Sequence, residues 1–197
     1  MTRNVAILIF DEVEVLDFCG PFEVFGVASL HSTGERSFYV YTIAEKSEPV
    51  SARNGLSINP NFTLADCPQP DILLVPGGRG TRGVVHNEVL VNWVREQAGR
   101  VELVLSVCTG ALVLAKAGLL EGLSATTHFQ ALNELRDLAP NTTLCLDQRY
   151  VDNGQVVLSA GISAGIDMSL YVVARLLGEE QANETARYMQ YDYWPQK

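Results

Sequence analysis

The sequence predicts an α/β fold: a mostly parallel central sheet with helices on both faces. Two observations carry this. Val5-Ala6-Ile7-Leu8-Ile9-Phe10 and Ile72-Leu73-Leu74-Val75-Pro76 are continuous apolar runs of strand length, which suit strands buried on both faces. Such runs alternate with helix-like segments along the chain, the order expected of a parallel sheet. A hydrophobic fraction of 47% against 19% charged residues leaves ample material for a core.

The elements follow in order. The first strand is Val5 to Phe10, and Asp11 to Gly20 reads as a connecting loop. Pro21 suits the first turn of a helix that continues through Val27. Phe38 to Ala44 is a second strand. Val50 to Asn59 holds Asn54-Gly55, a two-residue turn signal, and predicts a hairpin. The strand from Ile72 ends on Gly77-Gly78, and a helix is expected from Glu88 to Ala98. A central strand starts at Val101, and a helix starts at Thr109 and stops at Gly118 or Gly122. The second half predicts a short strand at Ala125-Thr126-Thr127 and a helix through Leu132 and Leu135. Cys145 to Val151 and Val156 to Ser159 flank Asp152-Asn153-Gly154 as a hairpin. Two helices close the chain, Ala164 to Leu177 and Glu179 to Tyr191.

Composition narrows the function. The 197 residues fit one domain, 1–197. Fourteen basic against 23 acidic residues give a formal charge of −9, which argues against nucleic acid as a partner. Cys19, Cys67, Cys108 and Cys145 form no Cys-x-x-Cys and no zinc-type spacing, so no metal is expected. No leader pattern and no apolar stretch of ~20 residues occurs. The expectation is a cytoplasmic protein with reduced thiols and no membrane partner.

The residues that invite chemistry cluster in three loops at the carboxyl ends of the strands, where open α/β sheets bind ligands. They are Asp11–Gly20, Gly77–Gly83 and Cys108–Gly110, and in the last the apolar β-branched run from Val101 stops at Cys108 and continues as a helix start. This is the layout of a strand–nucleophile–helix elbow. A helix N-terminus favours the thiolate, the nucleophilic form, whereas the plain alternative is a small buried core cysteine. Asp17 lies between apolar Leu16 and Phe18. Desolvation there would keep its carboxyl protonated, able to hydrogen-bond a thiolate or donate a proton. The alternative is an N-cap for the helix at Pro21. Glu23 is a second carboxylate, placed where a first helical turn simply favours acids.

Gly77-Gly78 lets the backbone approach a ligand and offers two N–H groups for developing negative charge. The run to Gly83 lacks the Gly-Lys-Ser/Thr ending of a phosphate loop. Thr109 follows Cys108 directly and either bonds a reacting group or caps the helix. His128, twenty residues after Cys108, is a candidate lining residue. His31 and His86 lie in polar loop contexts, Asp167 reads as structural, and Cys19 reads as packing that exposure would make oxidisable.

Taken together, these pieces resemble the DJ-1/PfpI superfamily. The resemblance runs from Val5 to about Tyr191. It rests on Leu16-Asp17, Gly20-Pro21 with Glu23-Val24, Pro76-Gly77-Gly78, Ser106-Val107-Cys108-Thr109-Gly110, Ala125-Thr126-Thr127-His128 and Ser159 through Asp167. It implies a flavodoxin-like sandwich similar to class I glutamine amidotransferases, with no cofactor, a small-molecule substrate and a homodimer. Protease-like and amidotransferase-like members carry His directly after the nucleophile. Here that position is Thr109, so the Cys–His pair for amide cleavage is missing. Isonitrile-hydratase-like members show Cys-Thr at the elbow and Asp in the first loop, as here. The resemblance therefore implies a hydratase that adds water to isonitriles, with Cys108 as nucleophile, Asp17 moving the proton, Thr109 orienting, and Gly77, Gly78 and His128 binding. Two alternatives are a glyoxalase- or deglycase-like enzyme on reactive carbonyls, whose members usually carry Glu in place of Asp17, and a non-enzymatic redox or metabolite sensor. The same domain resembles the N-terminal half of some AraC-type regulators, but the residues after Leu177 leave no room for their helix-turn-helix pair.

Overall fold

The computed structural model describes residues 2–28 and 36–192. His31 lies outside them. In chain order the elements are β1 (Arg3–Leu8), α1 (Val15–Val27), β2 (Phe38–Ala44), β3 (Val50–Ser51), β4 (Ser57–Ile58), β5 (Phe62–Thr63) and β6 (Ile72–Val75). There follow α2 (Thr81–Val84), α3 (Glu88–Ala98), β7 (Leu103–Val107), α4 (Gly110–Lys116), β8 (Ser124–Ala125), α5 (Leu132–Leu138) and β9 (Thr143–Leu144). The last are β10 (Tyr150–Asp152), β11 (Val156–Ser159), α6 (Ala164–Leu177) and α7 (Glu179–Tyr188).

The main sheet has the order β10-β11-β7-β6-β1-β2-β5. Every pairing in it is parallel except β10 with β11, an antiparallel edge. Consecutive strand residues point to opposite faces. Val5, Ala6, Ile7 and Leu8 are all fully buried, so both faces of β1 are covered, as the unbroken apolar run predicts. Leu73 and Leu74 do the same in β6, and Val104 and Leu105 in β7. Leu74→Ala is expected to cost about 2–5 kcal/mol, because a fully buried leucine leaves a cavity its neighbours only partly fill. Urea unfolding measures this, and a loss below about 1 kcal/mol would show a core able to collapse around the site.

The order of the strands positions the site. β7, β6 and β1 are adjacent, with Val75 opposite Ser106 and Ile7 opposite Leu74. The segments leaving their carboxyl ends therefore meet, although they are far apart in sequence. β11 flanks β7, pairing Ser159 with Val107, and brings in a fourth segment.

Several predicted boundaries move. Asp11 to Gly20 is not one loop, because α1 begins at Val15 and Pro21 sits inside it. Tertiary contacts start that helix early: Val13 bridges to Gly78, and the Glu14 N–H donates to the Gly77 carbonyl at 2.9 Å. The interior proline forfeits one helical hydrogen bond, to Asp17. The central strand begins at Leu103, since the N–H groups of Glu102 and Leu103 are both taken by the Asp71 carbonyl. The Ala125–Thr127 strand shrinks to β8, which pairs with β9, a strand the residue pattern does not announce. The Cys145–Val151 strand shrinks to β10. Within 81–84, the predicted loop after Gly77 forms the short helix α2.

Candidate active site

Two residues make the whole turn between β7 and α4. The first, Cys108, has φ +56°, a left-handed backbone that costs a non-glycine residue about 1–3 kcal/mol. Its surroundings hold it there. The Cys108 N–H is shared between the carbonyls of Ser159 (3.2 Å) and Ala160 (3.1 Å). Its own carbonyl accepts the Thr127 hydroxyl at 2.7 Å. The turn also presses against the sheet, for a Cβ on Gly110 would lie 2.0 Å from the Val75 carbonyl oxygen. The resulting elbow leaves Cys108 5% exposed.

Asp17, in the first turn of α1, is completely buried. Its Oδ2 accepts the Gly77 N–H at 3.0 Å. Its Oδ1 has no hydrogen-bond donor in place among the described residues. The capping alternative falls away, because Glu14 holds the N-cap position and no side chain caps the helix. Thr109 holds the N-cap position of α4, but its side chain makes no capping hydrogen bond. Its hydroxyl accepts the Gly78 N–H at 3.0 Å and donates to the Gly78 carbonyl at 3.1 Å, with the Thr81 hydroxyl 3.2 Å away. Thus the Gly77 and Gly78 N–H groups are committed to Asp17 and Thr109 and do not point at open space. Only glycine fits at 77, where a Cβ would lie 2.5 Å from the Thr109 nitrogen and 2.7 Å from Asp17 Oδ2.

A cleft of about 680 Å³ opens over this turn. Gly78, Cys108, Thr109, His128 and Ile162 line it, with Glu14, Arg53, Arg79, Arg82 and Gln130. His128 is half-buried, packs its ring beside Gly161, and accepts the Gln130 N–H on Nδ1 at 3.3 Å. Glu23 and His86 are exposed and do not line the cleft. Cys19 is half-buried on α1. Asp167 is structural: it is buried in α6, paired with Arg149, and accepts the Tyr191 hydroxyl at 3.0 Å. Among the described residues no group of three or more His, Cys, Asp or Glu side chains is arranged to hold a metal. Nor is any helix there long and apolar enough to cross a membrane.

The sequence profile of the DJ-1/PfpI family matches residues 3–175. The chain belongs to the DJ-1/PfpI family. Isonitrile hydratase of Pseudomonas putida is 35% identical over 192 residues, 97% of this chain and 79% of that protein. The HTH-type transcriptional regulator GbdR of Pseudomonas aeruginosa is 27% identical over 90% of this chain, which spans 48% of the regulator. Among solved structures, a ThiJ/PfpI family protein from Pseudomonas syringae superposes with a TM-score of 0.88 at 28% identity, covering 100% of this chain and 78% of that one. DJ-1beta of Drosophila melanogaster gives 0.84 at 22% identity over 98% of this chain and all of its own, a likeness of fold.

The charge state of this DJ-1/PfpI site departs from the expected thiolate. Burial pushes the Asp17 carboxyl up to about 7, helped by the Glu14 charge and opposed by the Gly77 N–H and by Cys108. Burial pushes the Cys108 thiol up to about 12, and the Asp17 charge adds to the rise. The N–H groups of Thr109 and Ile162 pull the thiol back, less strongly. α4 has only seven residues, so helix polarity is the smaller effect beside burial. The two groups titrate as a coupled pair. Burial favours the uncharged form of each, and the thiol is raised further by the Asp17 charge, so it keeps its proton when the carboxyl has released one. Sequence reasoning missed Ile162, Thr81 and the three arginines of the cleft. Ile162 has φ +47°, and no residue type in its neighbourhood signals that.

Proposed function

We propose that this protein adds water to isonitriles, giving N-substituted formamides. The observation that carries the reading is Cys108 on a left-handed turn in the lining of a cleft large enough for a small organic molecule, with the fully buried Asp17 carboxyl held by the neighbouring Gly77 turn. The 35% identity to an isonitrile hydratase supports it. The sulfur attacks the terminal isonitrile carbon while the thiol proton passes to the Asp17 carboxylate. The carboxyl returns that proton to the same carbon, leaving a thioimidate, R–N=CH–S–Cys108. Water adds to that carbon: Asp17 takes a proton from the water, and the nitrogen receives one. The C–S bond then breaks, the hydroxyl proton returns to the sulfur, and R–NH–CHO leaves. The N–H groups of Thr109 and Ile162 face the sulfur and stabilise charge as it develops. Gly77 and Thr109 act by position, one holding Asp17 and the other anchored to Gly78.

The test is NMR detection of N-cyclohexylformamide from cyclohexyl isocyanide. Wild type is expected to form it, and Cys108→Ala to lose at least ~10³-fold in rate. Full turnover by the variant would sink the mechanism. No product from wild type, with methylglyoxal consumed instead, would favour a carbonyl enzyme. The reading includes a homodimer, by resemblance to the family, which sedimentation velocity measures.

A further inference from the structure

The protein carries a formal charge of −9, yet three of its eleven arginines line the cleft above Cys108. Two are already engaged. Arg53 pairs with Glu12 at 2.8 Å and lies 3.9 Å from Glu14. Arg82 makes two hydrogen bonds to Glu134, at 2.9 and 2.6 Å, and leans on the Gly78 carbonyl at 3.4 Å. Arg79 has no ion-pair or hydrogen-bond partner for its guanidinium among the described residues, and only its backbone carbonyl is engaged, by the Arg82 N–H. It is exposed and directly follows the Gly77-Gly78 turn that braces Asp17 and Thr109. A guanidinium presents a rigid fork matched to the two oxygens of a carboxylate. Among the described residues that line the cleft, Arg53 and Arg82 are paired and Arg79 is the arginine left over for a ligand. Glu14 is the single acidic residue in the lining, and it sits towards Arg53.

We propose that the cleft selects substrates carrying a carboxylate, bound by Arg79 while the electrophilic carbon lies at Cys108. Resting on the hydratase reading for the reacting group, this names the substrate class as isocyano carboxylates. The anion selectivity itself does not need that reading. It acts on ground-state binding, so it appears in KM more than in kcat.

The first arm is alkylation of Cys108 by iodoacetate and by iodoacetamide, followed by intact-protein and peptide mass spectrometry. In each, the sulfur–carbon bond forms and iodide leaves. One reagent is anionic and the other neutral, at nearly equal size. The ratio of the iodoacetate to the iodoacetamide rate is expected to fall at least ~3-fold in Arg79→Gln and to recover only in part in Arg79→Lys, which restores the charge but not the fork. In wild type the same ratio falls as salt is raised. A ratio that Arg79→Gln does not move overturns the proposal, whatever salt does to it. The second arm compares isocyanoacetate with its ethyl ester as substrates. A lower KM for the acid, lost in Arg79→Gln, supports the proposal, and an equal or higher KM overturns it. If neither isonitrile is hydrated but the alkylation ratio still shifts, the hydratase reading fails and the selectivity for anions stands.

Discussion

Asp17→Asn is expected to remove turnover and to stabilise the protein. The carboxyl is completely buried and held at about 7 against an ordinary 3.8. Between those values the folded chain keeps a proton that the unfolded chain has released. The folded state then binds more protons, so stability falls as pH rises across that window, by at most about 1.4 kcal/mol per pH unit. Asparagine keeps the shape and can still accept the Gly77 N–H, and it carries no charge. A gain of about 1–3 kcal/mol at pH 8 is expected, the remainder being offset by an amide N–H2 short of acceptors. Urea unfolding from pH 4 to 8 should show wild type losing stability relative to the variant. Parallel curves would mean that the carboxyl is not held above its ordinary value. Turnover should drop by about 10²–10⁴, the usual range for loss of a proton-transfer group. In the same variant the alkylation midpoint of Cys108 should move to lower pH, because the Asp17 charge helps to raise the thiol.

Gly110→Ala is the second large effect, and it falls on folding. The added methyl would stand 2.0 Å from the Val75 carbonyl oxygen, 2.9 Å from the Val75 carbonyl carbon and 3.0 Å from the Pro76 carbonyl oxygen. All three are backbone atoms at the end of a central strand, so no side chain can swing aside. A destabilisation above about 4 kcal/mol is expected, enough to leave many domains unfolded. Gly83→Ala is the contrast. It lies in α2 with nothing within 4 Å of its Cβ, so alanine should be neutral or stabilise by up to about 1 kcal/mol. Far-UV circular dichroism and urea midpoints of the two variants settle the comparison. A folded Gly110→Ala with near-native stability would mean that β6 and α4 can part without cost.

The sheet was legible because its strands are buried on both faces. Runs such as Ile72 to Val75 leave no solvent-facing position to confuse the pattern. The elbow was legible for a related reason: a β-branched run that stops at a cysteine followed by Thr-Gly-Ala offers few other readings. The beginning of α1 was not. Pro21 is a strong local signal for a first turn, but the bonds from Val13 and Glu14 to Gly77 and Gly78 start the helix six residues earlier. Tertiary contacts override local preference there. The pairing of β8 with β9 joins two-residue strands, too short to show any alternation. The charge state of Cys108 was misjudged because helix polarity can be read from sequence, whereas the depth of burial comes from four segments closing over one atom.

That closure sets an order in time. Asp17, Gly77, Cys108 and the carbonyls of Ser159 and Ala160 belong to segments spread over most of the chain, and each holds another. During synthesis the thiol leaves the ribosome long before the carbonyls that hold its turn. Until residue 160 has emerged, the Cys108 N–H lacks the two carbonyls that hold its turn. A nascent chain stalled before that point should therefore react with maleimide at the rate of a free peptide thiol. A chain released a few dozen residues later should resist it.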